Sequence, residues 1–260
     1  TIEELIERKH EEIPGKGKKK LKLLNDGQLK GLEYYKQIQE RIPRSEIEEY
    51  NQILNTVFNT AIKPDKTDKT DKTDKFEIVG SYRRGKPDSG DIDIIITSLE
   101  DDKTVFNKFL ELLKERGIIK ATLTHGEKKS YVIAKLNETS LARRLDFLYT
   151  PPDEYAFAIL YFTGSKEFNT AMRQHALKNN LTLNEHGFHK MINKIKGDKI
   201  IEPVFNTEKD IFDYLNLEFK EPHERIDETS IVIKQEKSEE PTKSEQPTKS
   251  EEPTKPEEPK

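Results

Sequence analysis

Residues 80–97 read GSYRRGKPDSGDIDIIIT: a Gly-Ser pair, a short basic segment, a Ser-Gly turn, then Asp91 and Asp93 alternating with isoleucines. In a strand, side chains at i and i+2 share a face, so Asp91 and Asp93 are expected on one side and Ile92 and Ile94 on the other. Two adjacent carboxylates repel unless a cation sits between them, and hard oxygen ligands suit Mg²⁺. Gly80 and Ser81 can offer a backbone N–H and a hydroxyl to a phosphate, with Arg83, Arg84 and Lys86 nearby for charge. Metal carboxylates beside a phosphate cradle imply nucleotidyl transfer. A lone D-x-D is more often a solvated strand edge; the Gly-Ser pair and basic run at this spacing give it its meaning.

A second acidic position completes the pattern. Residues 143–149 read RRLDFLY, with Asp146 among Leu145, Phe147 and Leu148. A carboxylate in an apolar strand is costly to bury unless it is paired or holds metal. Asp146 is therefore expected as a third metal ligand on a neighbouring strand. The alternative is an ion pair with Arg143 or Arg144 on a surface strand.

With these motifs in place, the chain resembles the family X DNA polymerases, the β and λ types especially. The resemblance rests on GSYRRG…SGDIDI, RRLDFLY, YFTGSKEFNTAMRQHAL (161–177), LTLNEHGF (181–188) and EKDIFDYLNLEFKEPHER (208–225), with GQLKGLEYYKQIQERIPRSEI (27–47) upstream. It implies an α+β fold: a palm of mixed sheet and helices, a helical DNA-binding subdomain before it and a mixed α/β closing subdomain after it. The expected division is 1–62 for the helical subdomain, 63–75 for a mobile polar insert, 76–150 for the palm, 151–226 for the closing subdomain and 227–260 for a disordered repeat tail.

The resemblance also implies roles. Asp91 and Asp93 would hold two Mg²⁺ ions, with Mn²⁺ as a substitute, and Asp146 would ligate the catalytic one. Gly80, Ser81 and Arg84 match triphosphate contacts, Gly90 the turn before the metal ligands, and Arg41 a further triphosphate contact. Tyr161, Phe162 and Gly164 match the wall beside the sugar of the dNTP. Asn169 matches the minor-groove contact to the incoming nucleotide and Arg173 a template-strand contact; four apart, they share a helix face. Outside this match, Tyr161 and Phe162 would read as core aromatics, and Asn169 and Arg173 as an ordinary solvated face. The sequence departs from the β type at Lys166, where that type carries an acid, and at Leu148, where it carries a basic residue.

Composition sets the remaining bounds. The chain has 260 residues, room for about two units of roughly 100–150 residues. Residues 65–75 read DKTDKTDKTDK and residues 237–254 read KSEEPTKSEQPTKSEEPT, neither with apolar residues to build a core. Residues 227–260 hold ten acids and six lysines, a net of −4 that equals the whole-chain value and leaves residues 1–226 balanced. Neutral overall charge does not exclude DNA, because local patches govern phosphate contact. Lys16 and Lys18 belong to a Lys-rich stretch expected to touch DNA nonspecifically.

The chain opens on Thr1, as expected of a fragment, and the family's amino-terminal lyase domain has no counterpart in it. With no cysteine, a disulfide or cysteine-zinc framework is excluded. No apolar run nears the roughly 20 residues of a membrane span, and no signal peptide is visible, which fits an intracellular protein, with nucleus, cytoplasm and viral replication site all open. The expected partners are gapped or primed duplex DNA and a dNTP, for a monomer that fills short gaps in repair, with a repair protein met through the upstream region or tail. The rivals are a template-independent terminal transferase, a noncatalytic DNA-end module and a small-molecule nucleotidyltransferase. The short connection around Asn137–Ser140 favours templated synthesis, because terminal transferases fill the template's place with a long loop there.

Overall fold

The computed structural model describes residues 1–15, 20–62, 74–98 and 103–235. Lys16, Lys18, residues 63–73 of the polar insert and the repeat from 236 lie outside these.

The leading segment is made of short elements with clear local signals. Helix α1 (Ile2–Glu7) starts at a capping box in which Thr1 accepts from the Glu4 amide and Glu4 reaches back. A hairpin of β1 (Glu12–Pro14) and β2 (Lys20–Lys22) follows. Helix α2 (Asp26–Glu33) begins with a second capping box between Asn25 and Gln28, and α3 (Tyr35–Ile38) adds a further turn. Strand β3 (Ile42–Pro43) then leads into α4 (Arg44–Ala61).

Helix α4 has no internal glycine or proline and buries Ile47, Tyr50, Leu54, Val57, Phe58 and Ala61, a stripe at spacings of three and four residues. That stripe packs into the core of the central sheet, so α4 is a palm helix. The boundary expected at residue 62 is corrected to the start of this helix. A helical pattern shows that a stripe will be buried, and only tertiary packing shows against what.

The central unit continues with β4 (Lys75–Ile78), α5 (Gly80–Arg83), β5 (Asp88–Ser89), β6 (Ile92–Thr97), α6 (Thr104–Glu115), β7 (Ile119–His125), β8 (Lys129–Ala134) and β9 (Arg143–Tyr149). Five of these strands form a sheet in the order β4-β6-β9-β8-β7, parallel between β6 and β9 and antiparallel elsewhere. Ile92, Ile94 and Ile96 face one side, where α4 and α6 close the core around Phe58, Phe76, Phe109 and Phe147 in edge-on ring contacts. Ile95 faces the other side, as Asp93 must by the two-residue period, and packs with Leu148, Ala158 and Ile159. Lys75, assigned from the sequence to the insert, already pairs with Thr97 in β4.

The closing unit comprises α7 (Tyr155–Thr163), α8 (Lys166–Lys178), an antiparallel sheet of β10 (Leu181–Asn184), β11 (Gly187–Ile192) and β12 (Ile195–Lys199), and α9 (Glu208–Tyr214). Helix α7 (YAFAILYFT) is apolar on nearly every side because it serves two cores. Ala158 and Ile159 pack on the palm, while Ala156, Phe157 and Leu160 join Phe168, Phe188, Phe205 and Phe212. The chain stays folded past the tail boundary expected at 227. Ile233 bridges Leu217, the Glu218 amide donates to Val232 O, and Lys234 pairs with Asp213. The described part of this stretch, through Gln235, thus belongs to the closing unit; its apolar Ile231, Val232 and Ile233 distinguish it from the repeat.

Candidate active site

Strand register brings the acids together. Asp93 on β6 stands directly opposite Asp146 on β9 across the parallel pair. Asp91 lies one residue before β6 begins, in the bend that leads into the strand. Its carboxylate still meets the other two: one oxygen from each of Asp91, Asp93 and Asp146 falls within 4.8 Å of the rest. This is the one such three-ligand group among the described residues.

The electrostatics of the cluster follow from its placement. Burial, then the charges of Asp91 and Asp146, push the Asp93 carboxyl up to about 7, against a smaller pull from Arg144 and Arg84. Burial likewise raises Asp146 to about 6, although Arg144 draws it down. Arg144 Nε donates to Asp146 Oδ1 at 3.0 Å, and Nη2 reaches Asp91 Oδ2. Arg144 thus lies against two of the three acids where the sequence reading invoked an arginine only as the bland alternative. The i, i+2 spacing of Arg144 and Asp146 was the available signal. Arg143, on the opposite face, is buried and pairs with Glu46 of α4 at 2.6 Å. Three carboxyls held this close, Asp93 and Asp146 with raised proton affinity, suit divalent cations, and their all-oxygen donor set suits Mg²⁺.

The Gly80–Arg84 segment borders this cluster. Gly80 has φ +63°, and a Cβ there would lie 2.6 Å from Asp93 Oδ2, so only glycine lets the α5 turn approach the acid. The Ser81 hydroxyl hydrogen-bonds to Ser89 on β5 at 2.7 Å. Pairing of β3 with β5 carries Arg41 to the same edge, where it lies against Gly90 and binds Asp88 through Nε at 2.9 Å. Arg84 donates through Nη1 to Thr163 O and Gly164 O at 2.8 and 2.9 Å. Arg83, grouped with the phosphate side from sequence, turns instead to Glu77, Thr163 and Glu208.

The 161–173 segment forms the opposite wall. Tyr161, Asn169 and Arg173 line one crevice with Phe157, Leu160, Met172, Leu183 and Asn184. Asn169 Nδ2 donates to Tyr161 O at 2.6 Å, and a Cβ on Gly164 would lie 2.4 Å from Asn169 Oδ1. Phe162 meets Tyr161 edge-on at 5.1 Å but packs on the palm side, beside Leu148 and Ala158. The structure therefore separates it from the crevice that holds Tyr161. Lys16 and Lys18 lie outside the described residues.

The chain is similar to known proteins over most of its length. Residues 41–152 match the family model described as DNA polymerase beta palm, and residues 158–226 the one described as DNA polymerase beta thumb. The chain is 32% identical over 208 residues to DNA polymerase lambda of Rattus norvegicus, covering 75% of this chain and 35% of that protein. It is 30% identical over 218 residues to DNA polymerase lambda of Arabidopsis thaliana, covering 78% and 40%. It is also similar to DNA nucleotidylexotransferase of Xenopus laevis, 29% identical over 248 residues, covering 81% and 46%. The chain spans less than half the length of these relatives. The palm start at residue 41 agrees with the packing of α4, and the matched span takes in the acidic cluster, the Gly80–Arg84 turn and most of the opposite wall: the chain belongs to the family X DNA polymerases, over their catalytic portion.

Proposed function

We propose that this chain is a template-directed DNA polymerase that adds dNMP to a primer 3′-hydroxyl and fills short gaps in repair, by base excision or end joining. The observation that carries the reading is the register of Asp93 against Asp146, with Asp91 beside them and the Gly80–Arg84 turn at their edge. Asp91, Asp93 and Asp146 would hold two Mg²⁺ ions. Bound there, such ions make the 3′-hydroxyl more acidic and neutralise the triphosphate. Asp146, opposite Asp93 on the neighbouring strand, would take the hydroxyl proton. The 3′-oxygen bonds to the α-phosphorus while the bond to pyrophosphate breaks, so positioning and charge do most of the work.

The other residues bind and orient. Arg84 hydrogen-bonds through Nη1 alone among the described residues, which leaves Nε and Nη2 for the triphosphate; Gly80, Ser81 and Arg41 would add contacts to it, and Gly90 would form the turn before the metal ligands. Tyr161 and Gly164 would crowd a ribose 2′-hydroxyl. Asn169 and Arg173, one turn apart on α8, would test pair shape from the minor groove and template. Between β8 and β9 only residues 135–142 intervene, folded on themselves through Asn137, which supports a site that leaves the template in place. Gap filling of this kind suits a nuclear or viral replication setting and a monomer working with repair proteins.

Extension of a primer across a single-nucleotide gap with Mg²⁺, for the wild type and Asp146→Ala, tests this. Insertion that vanishes in the variant is expected. DNA binding without extension in either protein would leave a noncatalytic module.

A further inference from the structure

Two consecutive arginines converge on one residue at the end of α7. Arg83 Nη1 donates to Thr163 Oγ1 at 2.9 Å, and Arg84 Nη1 donates to Thr163 O at 2.8 Å and to Gly164 O at 2.9 Å. Thr163 is the last residue of α7 and is fully buried. The final carbonyls of a helix lack intrahelical donors and carry the negative end of its dipole, so a guanidinium is a fitting cap. Arg83 is fixed further by Glu77 and by Glu208 of α9. The carbonyl of Tyr161, two residues earlier, holds Asn169. One turn of backbone therefore carries the arginine at the phosphate side and the asparagine at the base side.

We propose that Thr163 is a positioning residue for nucleotide binding. Its hydroxyl clamps Arg83 and its carbonyl holds Arg84, so that Arg84 meets the triphosphate in register with the wall at Tyr161 and Gly164. The inference rests on the reading of Arg84 as a triphosphate contact. It has a consequence for sugar choice. A ribose 2′-hydroxyl pressing on Tyr161–Gly164 displaces the same carbonyls that hold Arg84, so the misfit weakens the triphosphate contact as well. Loosening the clamp then costs both affinity and discrimination.

The test is single-turnover insertion on a single-nucleotide gap for wild type, Thr163→Val, Thr163→Ser and Arg84→Ala, with dNTP and the matching rNTP. Valine keeps the shape and removes the acceptor; serine keeps the acceptor. Loss of a hydrogen bond to a charged donor predicts that Thr163→Val weakens apparent dNTP affinity about tenfold. The maximal rate and DNA affinity stay near wild type, preference against rNTP falls, and Thr163→Ser recovers most of the affinity. Unchanged dNTP affinity in Thr163→Val overturns the inference, as does an equal loss in valine and serine, or a lower melting temperature without an affinity change. Unaltered affinity in Arg84→Ala removes the triphosphate role and this inference with it. A wild type that inserts no nucleotide overturns instead the polymerase reading on which both depend.

Discussion

Gly80 shows how a single residue sets the spacing of the site. Its φ of +63° and the 2.6 Å that would separate a Cβ from Asp93 Oδ2 make alanine intolerable in place. Gly80→Ala is expected to lower the insertion rate by about a hundredfold, because about 3 kcal/mol of positioning is lost where α5 meets the acid; rapid-quench kinetics would measure it. Asp93 carries a pH signature in the metal-free protein. Its folded-state value of about 7 lies above the unfolded 3.8, so the folded state binds more protons between these values. Its contribution is therefore most favourable below about pH 4 and is lost as pH rises through 7. Melting curves in a chelator should show stability falling across that window, with a flatter profile in Asp93→Asn and recovery on adding Mg²⁺. The acids themselves were legible in the sequence, because a period of two and a charge in an apolar strand are local signals. The reach of Arg144 to Asp91, 53 positions away, depends on the β6–β9 pairing and was not.

At the scale of elements, α4 and β9 are joined by a buried ion pair that supports the strand carrying Asp146. Arg143 binds Glu46 through Nε and Nη2 and donates to Glu40 O. Removing the carboxylate leaves a buried guanidinium with one partner, so Glu46→Ala is expected to cost about 3 kcal/mol of stability, read by denaturant unfolding. The helical stripe of α4 was readable from 44–61, but its assignment to the palm was not. Helix periodicity gives a buried face, and the Phe58–Phe109 contact that assigns the face lies 51 positions away. Phe162 illustrates the same limit. It neighbours Tyr161 in sequence, but adjacent positions on a helix point about 100° apart, which turns one ring to the crevice and the other to the palm.

For the whole molecule, the boundary near the tail has a direct test. Leu217 pairs with Ile233 and Asp213 with Lys234, so truncation after residue 226 should lower the melting temperature below that of a chain ending at residue 235. Composition marked where the repeat begins but placed the edge of the fold too early, since Asp227, Glu228 and Thr229 resemble the tail in type while Ile231 packs on the closing core. The molecule as a whole sets the acidic cluster of the palm beside the crevice of α7 and α8, and the proposed function requires that base pairing with the template choose the nucleotide. The most direct measurement is insertion of each dNTP, supplied singly, opposite each of the four template bases in a single-nucleotide gap. Insertion of the complementary nucleotide is expected in every case. Additions indifferent to the template base would contradict it and point to a terminal transferase.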